Sequence, residues 1–157
     1  MTIAIRKILC PVDFSANAEH ALRYAVALAQ SHGAELVLLH VMEMPDYALP
    51  EGTLAVGVTT LDLVRELEEG CRQQLEALAE SARADVAQVT TQFVTGAPFV
   101  EIVRAARDQE ADLIVMGTHG RSGLAHMMIG SVAEKVVRKA PCPVLTVKHP
   151  EHEFVMP

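Results

Sequence analysis

The sequence predicts one α/β domain built on an open parallel β-sheet with helices on both faces. The chain has 157 residues, a length typical of a single domain, and half of them are hydrophobic, which is enough for a substantial core. Short apolar runs alternate along the whole chain with stretches of helical periodicity. This alternation is typical of successive βαβ units.

Five short segments have the composition of strands. Four are dense runs of Val, Ile and Leu, which suit strands that are covered on both faces, as in parallel sheets. They are residues 8–12, 36–41, 113–116 and 144–147. The fifth, residues 86–94, carries Gln or Thr at every second position from Gln88 to Gln92 and therefore predicts an edge strand.

Four segments between these runs have apolar residues at helical spacing. They are residues 18–29, 61–82, 99–106 and 132–140. Ser15 predicts the N-cap of the first helix and Gly33 its end. Pro98 stands near the start of the third helix, and Pro141 stops the fourth. The order is β-α-β-α-β-α-β-α-β, and right-handed crossovers leave few topologies open for it.

Two segments have no regular pattern. Residues 43–58 contain prolines and glycines without a period and predict a variable loop, long enough to form a lid or an interface. The tail, residues 149–157, carries two prolines and is expected to be variable as well. Because no repeat or linker interrupts the chain, we expect residues 1–157 to form a single domain.

Composition argues against several classes of function. The formal net charge is −7, whereas a general nucleic-acid binder needs a basic face, so we expect no nucleic-acid partner. Three cysteines without C-x-x-C spacing predict free thiols in a reducing compartment. No apolar run approaches the ~18 residues of a membrane span, and no secretion signal is visible. We therefore expect a cytoplasmic protein with no membrane partner.

A glycine-rich segment follows the fourth predicted strand. It reads Met116-Gly117-Thr118-His119-Gly120, and Gly130-Ser131-Val132 stands just before the fourth helix. Glycine has no Cβ, so backbone N–H groups in such a loop can approach a phosphate closely. The N-terminus of the following helix adds unpaired N–H groups and a partial positive charge. The segment therefore predicts a phosphate-binding cradle.

The same residues also allow a purely structural interpretation. Ser131 and Glu134 form an S-x-x-E capping box, which would start a helix in any protein, and glycine-rich loops are ordinary connectors. Neither a G-x-G-x-x-G fingerprint nor a P-loop lysine accompanies Gly130. The residues alone leave both interpretations open.

The glycine spacing resembles a known motif. Gly117-x2-Gly120-x9-Gly130-Ser131 is similar to the G-x2-G-x9-G-[ST] nucleotide motif of the universal stress protein family. Residues 8–15 (ILCPVDFS) and 140–145 (APCPVL) resemble the opening and closing strands of that family, so the resemblance covers nearly the whole chain. It implies a five-stranded parallel sheet of order 3-2-1-4-5, the adenine nucleotide alpha hydrolase-like fold, usually as a dimer.

The resemblance also implies ATP as the ligand, because the glycine motif is intact. The implied nucleoside contacts follow three strands and are Pro11, Val12, Asp13, Val41, Met116 and Gly117. The implied phosphate contacts belong to the glycine segment and are His119, Gly120, Gly130, Ser131 and Val132. Asp13 would lie nearest the base or ribose, and the backbone of Val41 would meet the adenine.

The implied topology supports this placement independently. In a 3-2-1-4-5 sheet the strand order reverses between strands 1 and 4, and ligands bind at the carboxyl ends beside such a point. Asp13, Val41 and Gly117 follow or end strands 1, 2 and 4, so they would converge on one crevice. An ionised Asp13 can only accept hydrogen bonds, which suits ribose hydroxyl or adenine amino donors. Its alternative role is that of an N-terminal cap for the helix after Ser15.

The sequence contains little that indicates catalysis. No nucleophile stands beside an evident base, and no second carboxylate accompanies Asp13 near the phosphates, so we expect no catalytic residue and at most slow ATP hydrolysis. Without a P-loop lysine, the phosphates would depend on backbone N–H groups and on Mg²⁺ or Mn²⁺, whose protein ligands the sequence does not identify. Two hypotheses stay open: a nucleotide-dependent regulatory module in the stress response, and a slow ATPase or nucleotidyl-chemistry enzyme on the same fold.

The last strand predicts a homodimer. Residues 143–147 would close one side of the sheet, and Val144, Leu145 and Val147 are apolar. An exposed apolar edge favours aggregation unless it is paired or covered, and pairing with a second copy about a two-fold axis would satisfy it. A tail that folds back over the edge through Phe154 and Val155 is the alternative.

Overall fold

Five strands and four helices alternate along residues 3–43, 60–120 and 129–148, the part of the chain that this computed structural model describes. In chain order they are β1 (Lys7–Pro11), α1 (Ala16–His32), β2 (Glu35–Met42), α2 (Thr60–Ala82), β3 (Val89–Thr95), α3 (Pro98–Asp108), β4 (Leu113–Gly117), α4 (Ser131–Lys139) and β5 (Val144–Val147). Each strand and helix that the sequence predicts is present, which confirms the α/β alternation.

The strands form one parallel sheet in the order β3-β2-β1-β4-β5. This confirms the order 3-2-1-4-5. Strand β1 lies at the centre, with Leu9 opposite Val37 of β2 on one side and opposite Ile114 of β4 on the other. The chain builds outward from β1 to β3 in one direction and from β4 to β5 in the other, so the order reverses between β1 and β4. The polar strand β3 is an edge strand, as its sequence predicts.

Helices cover both faces of the sheet. On one face, α1 and α2 pack against residues that include Ile8, Leu36 and Leu38, and on the other, α3 and α4 pack against residues that include Leu9 and Leu39. Alternate residues of β2 therefore serve opposite layers. The dense apolar runs in the sequence follow directly from this burial on both faces.

The ends of α1 lie where the sequence predicts them, whereas β3 begins later. The Ser15 hydroxyl accepts the Ala18 N–H at 3.2 Å, and Gly33 ends the helix in the left-handed conformation with φ of 62°. The prediction that the third strand starts at residue 86 is wrong. Val86 instead donates its N–H to the Ala82 carbonyl at the end of α2, and its side chain is buried in the core.

Several predicted features lie outside the described residues. They are the loop at residues 43–58, apart from Glu43, the tail at residues 149–157, and residues 121–128 of the glycine segment. None of the helices in the described segments combines the length and the apolar character that crossing a bilayer requires.

Candidate functional site

A cleft of about 460 Å³ opens at the carboxyl ends of the strands, where the strand order reverses. Clefts of roughly 300–1,000 Å³ are typical of small-molecule sites, and open α/β sheets bind ligands at this position. The predicted site residues all line the cleft: Pro11, Val12, Asp13, Val41, Met116, Gly117, His119, Gly120, Gly130, Ser131 and Val132. The structure therefore brings them together, and their roles toward a ligand stay predictions.

Asp13 lies in the turn between β1 and α1. Its Oδ1 accepts hydrogen bonds from the Ser15 N–H at 3.0 Å and from the Ser15 hydroxyl at 2.5 Å, and Ser15 in turn caps α1. Asp13 is therefore not the N-cap of α1. It accepts hydrogen bonds from Ser15, which is the N-cap. Because each oxygen of an ionised carboxylate can accept more than one hydrogen bond, a carboxylate at this position can serve a protein donor and a ligand donor together.

The backbone of this turn is strained at Phe14. Its φ of 62° lies in the left-handed region, which a bulky side chain rarely adopts. Such a conformation costs about 1–3 kcal/mol and persists only where the surrounding structure holds it. Strain of this kind clusters at ligand sites, and here it stands next to Asp13.

The described ends of the glycine segment meet through the backbone. The Gly130 N–H donates to the Thr118 carbonyl oxygen at 2.7 Å, and the Thr118 N–H donates to Val147 of β5 at 3.0 Å. A Cβ on Gly130 would lie 3.0 Å from that Thr118 oxygen, which is closer than an ordinary van der Waals contact. Glycine is thus favoured at position 130 by the approach of two backbone segments, in addition to any approach of a phosphate.

Gly120 connects the glycine segment to Asp13. A Cβ on Gly120 would lie 2.7 Å from Oδ2 of Asp13, a separation too short for any side chain. The second glycine of the motif therefore leaves room for a carboxylate that comes from the opposite half of the chain. The motif spacing in the sequence gives no sign of this contact.

Among the described residues, no side chain caps helix α4 where it begins at the cleft. Its N-cap is Gly130, and Glu134 forms an ion pair with Arg138 at 3.0 Å. The capping-box interpretation is therefore wrong, since Ser131 is the first residue of the helix and not its cap. Because a glycine N-cap offers no side-chain acceptor, the first turn of α4 presents N–H groups and a partial positive charge beside the cleft that it lines.

The cleft also contains residues that sequence reasoning did not assign to the site. They are Ala18, Leu39, His40, Met42, Glu43, Cys71, Pro98, Ile102, Thr118 and Ala133. Two of them are polar and almost fully buried, with His40 4% exposed and Thr118 3% exposed. A histidine inside an apolar strand was a visible signal for His40, whereas no pattern in the sequence places Cys71 of α2 here.

The described residues do not form a preformed metal cage. Among them, no three His, Cys, Asp or Glu side chains come together as a metal site. Asp13 and Glu43 are carboxylates that line the cleft. Mg²⁺ is commonly held by one or two carboxylates together with substrate phosphates and water. The donor set therefore fits an ion that is held mainly by the phosphates of a ligand.

The three cysteines are free thiols, as the sequence predicts, and differ in their surroundings. Burial raises the pKa of the Cys10 thiol to about 12. The pKa of Cys142 is also raised, mainly by burial and further by the charge of Asp112. Cys71 is half-buried and lines the cleft, so a ligand bound there would change the rate at which its thiol reacts.

Comparison with known proteins agrees with this architecture. Residues 4–148 match the model of the Universal stress protein family. A universal stress protein of Methanocaldococcus jannaschii is 37% identical over 150 residues, which cover 94% of this chain and 85% of that protein. One from Thermus aquaticus is 38% identical over 144 residues, which cover 91% of this chain and 98% of that protein.

Solved structures show the same fold. Universal stress protein UspA from Lactobacillus plantarum superposes with a TM-score of 0.80 at 28% identity, covering 93% of this chain and 99% of that one. The universal stress protein from Archaeoglobus fulgidus, solved in complex with dAMP, has a TM-score of 0.61 at 25% identity, covering 92% and 98%. With the family model matched over nearly its whole length, the chain belongs to the universal stress protein family.

Proposed function

We propose that this chain binds ATP in the cleft between β1 and β4 and acts as a nucleotide-dependent regulatory module in the stress response. One observation carries the proposal. The Asp13 turn and the glycine motif, more than a hundred residues apart in sequence, line the same cleft together with the start of α4. An acceptor for a nucleoside and a donor surface for phosphates therefore occupy one site.

The nucleoside end of the proposed site combines apolar walls with one carboxylate. Val41, Ile102 and Met116 line the cleft, so they offer an apolar surface on which a base can pack. Asp13 supplies acceptor oxygens for ribose hydroxyl or adenine amino groups. The dAMP bound by the Archaeoglobus fulgidus relative supports an adenine nucleotide as the class of ligand.

The phosphate end depends on backbone groups. The first turn of α4 and the glycines before it offer N–H donors and the positive end of a helix dipole. A divalent ion bound with the triphosphate would neutralise its charge, with Asp13 and Glu43 as the carboxylates within the described cleft that could contact the ion. The described residues offer groups that bind the phosphates but no activated nucleophile that would attack them. The arrangement therefore favours the binding of ATP over its hydrolysis.

Isothermal titration calorimetry with ATP and Mg²⁺ tests the proposal. The wild-type protein is expected to bind one ATP per chain. Asp13→Asn keeps the shape of the side chain but removes its charge, and it should weaken binding by roughly tenfold or more, the size of one hydrogen bond to a charged group. Asp85→Asn, at an exposed position away from the cleft, is the matched control and should bind as the wild type does.

Two results of this titration set would contradict the proposal. One is the absence of ATP binding by the folded wild-type protein, and the other is equal affinity in the Asp13→Asn variant. A parallel incubation with labelled ATP separates the regulatory role from an enzymatic one. Bound ATP recovered intact supports the regulatory module, whereas repeated turnover supports the slow ATPase.

A further inference from the structure

We infer that His40 is a positioning residue for Asp13, an inference that rests on the nucleotide site proposed above. His40 lies near the carboxyl end of β2, lines the cleft and is 4% exposed. A buried polar side chain is normally hydrogen-bonded. In this protein its partner belongs to the turn that carries Asp13.

His40 fixes the residue that precedes Asp13. Its Nδ1 lies 2.8 Å from the Val12 carbonyl oxygen, and because that oxygen can only accept, Nδ1 carries the hydrogen and donates it. The Val12 N–H donates to the Leu39 carbonyl at 2.8 Å. Both backbone polar groups of Val12 are thus bonded to consecutive residues of β2, so Val12 cannot shift without breaking two hydrogen bonds.

The His40 ring also packs on the residue that follows Asp13. The ring centroids of His40 and Phe14 are 4.4 Å apart, and Phe14 is the residue in the left-handed conformation. Phe93 of β3 packs near the same imidazole, with ring centroids 5.8 Å apart. One buried side chain therefore contacts both neighbours of Asp13, which is how a strained turn can be held in place.

The contacts of His40 with Val12 and Phe14 determine where the Asp13 carboxylate lies. With Val12 and Phe14 fixed, Oδ1 of Asp13 meets both donors of Ser15, and Oδ2 lies beside Gly120. If the His40 donor were absent, the turn could relax from its strained conformation and the carboxylate would move. His40 thereby contributes to ligand affinity through Asp13.

Substitutions at His40 separate its two contributions. His40→Phe keeps an aromatic ring but removes the donor, whereas His40→Asn keeps an N–H donor near the place of Nδ1 and removes the ring. We expect His40→Phe to weaken ATP binding by roughly three- to tenfold, the size of one net hydrogen bond. The loss of affinity in His40→Asn should be smaller than that in His40→Phe. His32→Phe is the matched control, since exposed His32 also faces a carbonyl, that of Leu28 at 2.9 Å.

A double-mutant cycle identifies the residue through which His40 acts. If His40 positions Asp13, then His40→Phe should have no further effect on ATP affinity in an Asp13→Ala background. Equal losses in both backgrounds would overturn the inference, because they would show a general effect on the fold. Wild-type affinity in His40→Phe, or equal affinity of the Phe and Asn variants, would overturn it as well.

Hydrogen exchange of the Ser15 amide provides a readout that needs no nucleotide. This N–H is bonded to Asp13 Oδ1, so it should exchange faster in His40→Phe than in the wild type, and less so in His40→Asn. Unchanged exchange in His40→Phe would contradict the positioning role.

A wild-type protein that binds no ATP would contradict the proposed function alone, since the exchange measurement still decides the role of His40. Should the Phe variant not fold, His40→Ala against His40→Asn gives the same contrast.

Discussion

Asp13 and Gly120 show how single residues from distant parts of the chain form the candidate site. The carboxylate of Asp13 occupies the space that a side chain at position 120 would need. Sequence reasoning could identify both residues, because the glycine spacing and the strand ends mark them. It could not identify their contact or the part of His40, because both depend on the pairing of β1 with β2 and β4, which no local pattern encodes.

Gly120→Ala is expected to weaken ATP binding by displacing the Asp13 carboxylate. The added methyl group would lie 2.7 Å from Oδ2, so the flexible carboxylate must move, and the loss should reach about tenfold in affinity if one charge-assisted hydrogen bond is lost. Calorimetry with ATP measures the change. Gly70→Ala in α2, where a Cβ would meet nothing within 4 Å, is the control and should leave affinity unchanged. Full affinity in Gly120→Ala would refute the proposed role of this contact.

Thiol labelling should distinguish the cysteines by position and pKa. Alkylation needs the thiolate, and burial holds the pKa of Cys10 at about 12, so Cys10 should stay unlabelled in the native protein near neutral pH. Cys71 lines the cleft and should react, and ATP should slow its reaction if it binds there. Mass spectrometry of labelled peptides with and without ATP checks both statements. Labelling of Cys71 at the same rate in saturating ATP would speak against the proposed location.

The helix starts show what local sequence can and cannot determine at the level of the element. The N-cap of α1 is predictable because Ser15 bonds to a group three residues away. The S-x-x-E pattern at Ser131 is misleading because Gly130 takes the N-cap position, where its carbonyl accepts the Glu134 N–H at 2.9 Å. The Gly130 N–H also donates to the Thr118 carbonyl at 2.7 Å, a contact of the tertiary structure that the local sequence pattern does not show.

Ser15→Ala should lower the free energy of unfolding by about 1 kcal/mol, because it removes the side-chain acceptor for the first turn of α1. It also removes a donor to Asp13, so we expect the loss to be accompanied by weaker ATP binding. Urea denaturation followed by circular dichroism measures the stability. Ser31→Ala serves as control, because the hydroxyl of this exposed serine donates to the Ala27 carbonyl of the same helix, and its effect should stay within about 0.5 kcal/mol. Equal stabilities of the two variants would rule out the capping contribution.

For the whole molecule, the exposed edge of the sheet at β5 supports the predicted homodimer. Within the described residues, β5 pairs only with β4, and Leu145 is 38% exposed. The carbonyls of Pro143 and Val147 accept hydrogen bonds from residues 114 and 118, so the alternate residues, including Val144, direct their backbone groups outward. A second copy of β5, related by a two-fold axis, could pair with these groups.

Val144→Pro should shift a dimer toward monomer, because proline removes one outward edge donor without removing a bond to β4. Val144→Ala keeps the backbone N–H and is the matched control. Light scattering at micromolar concentration gives the molar mass, with a chain mass of 17.0 kDa for reference. A wild-type protein that is monomeric under these conditions would contradict the dimer, whereas a dimer that Val144→Pro leaves intact would place the interface elsewhere.

Competition among nucleotides tests the central claim, that this cleft is an ATP site, most directly. The purified protein is incubated with equal concentrations of ATP, GTP, CTP and UTP in the presence of Mg²⁺, separated rapidly from free nucleotide, and denatured, and the released nucleotide is identified by chromatography. The proposed site predicts ATP as the dominant species at close to one per chain. Release of no nucleotide, or of all four in similar amounts, would contradict it.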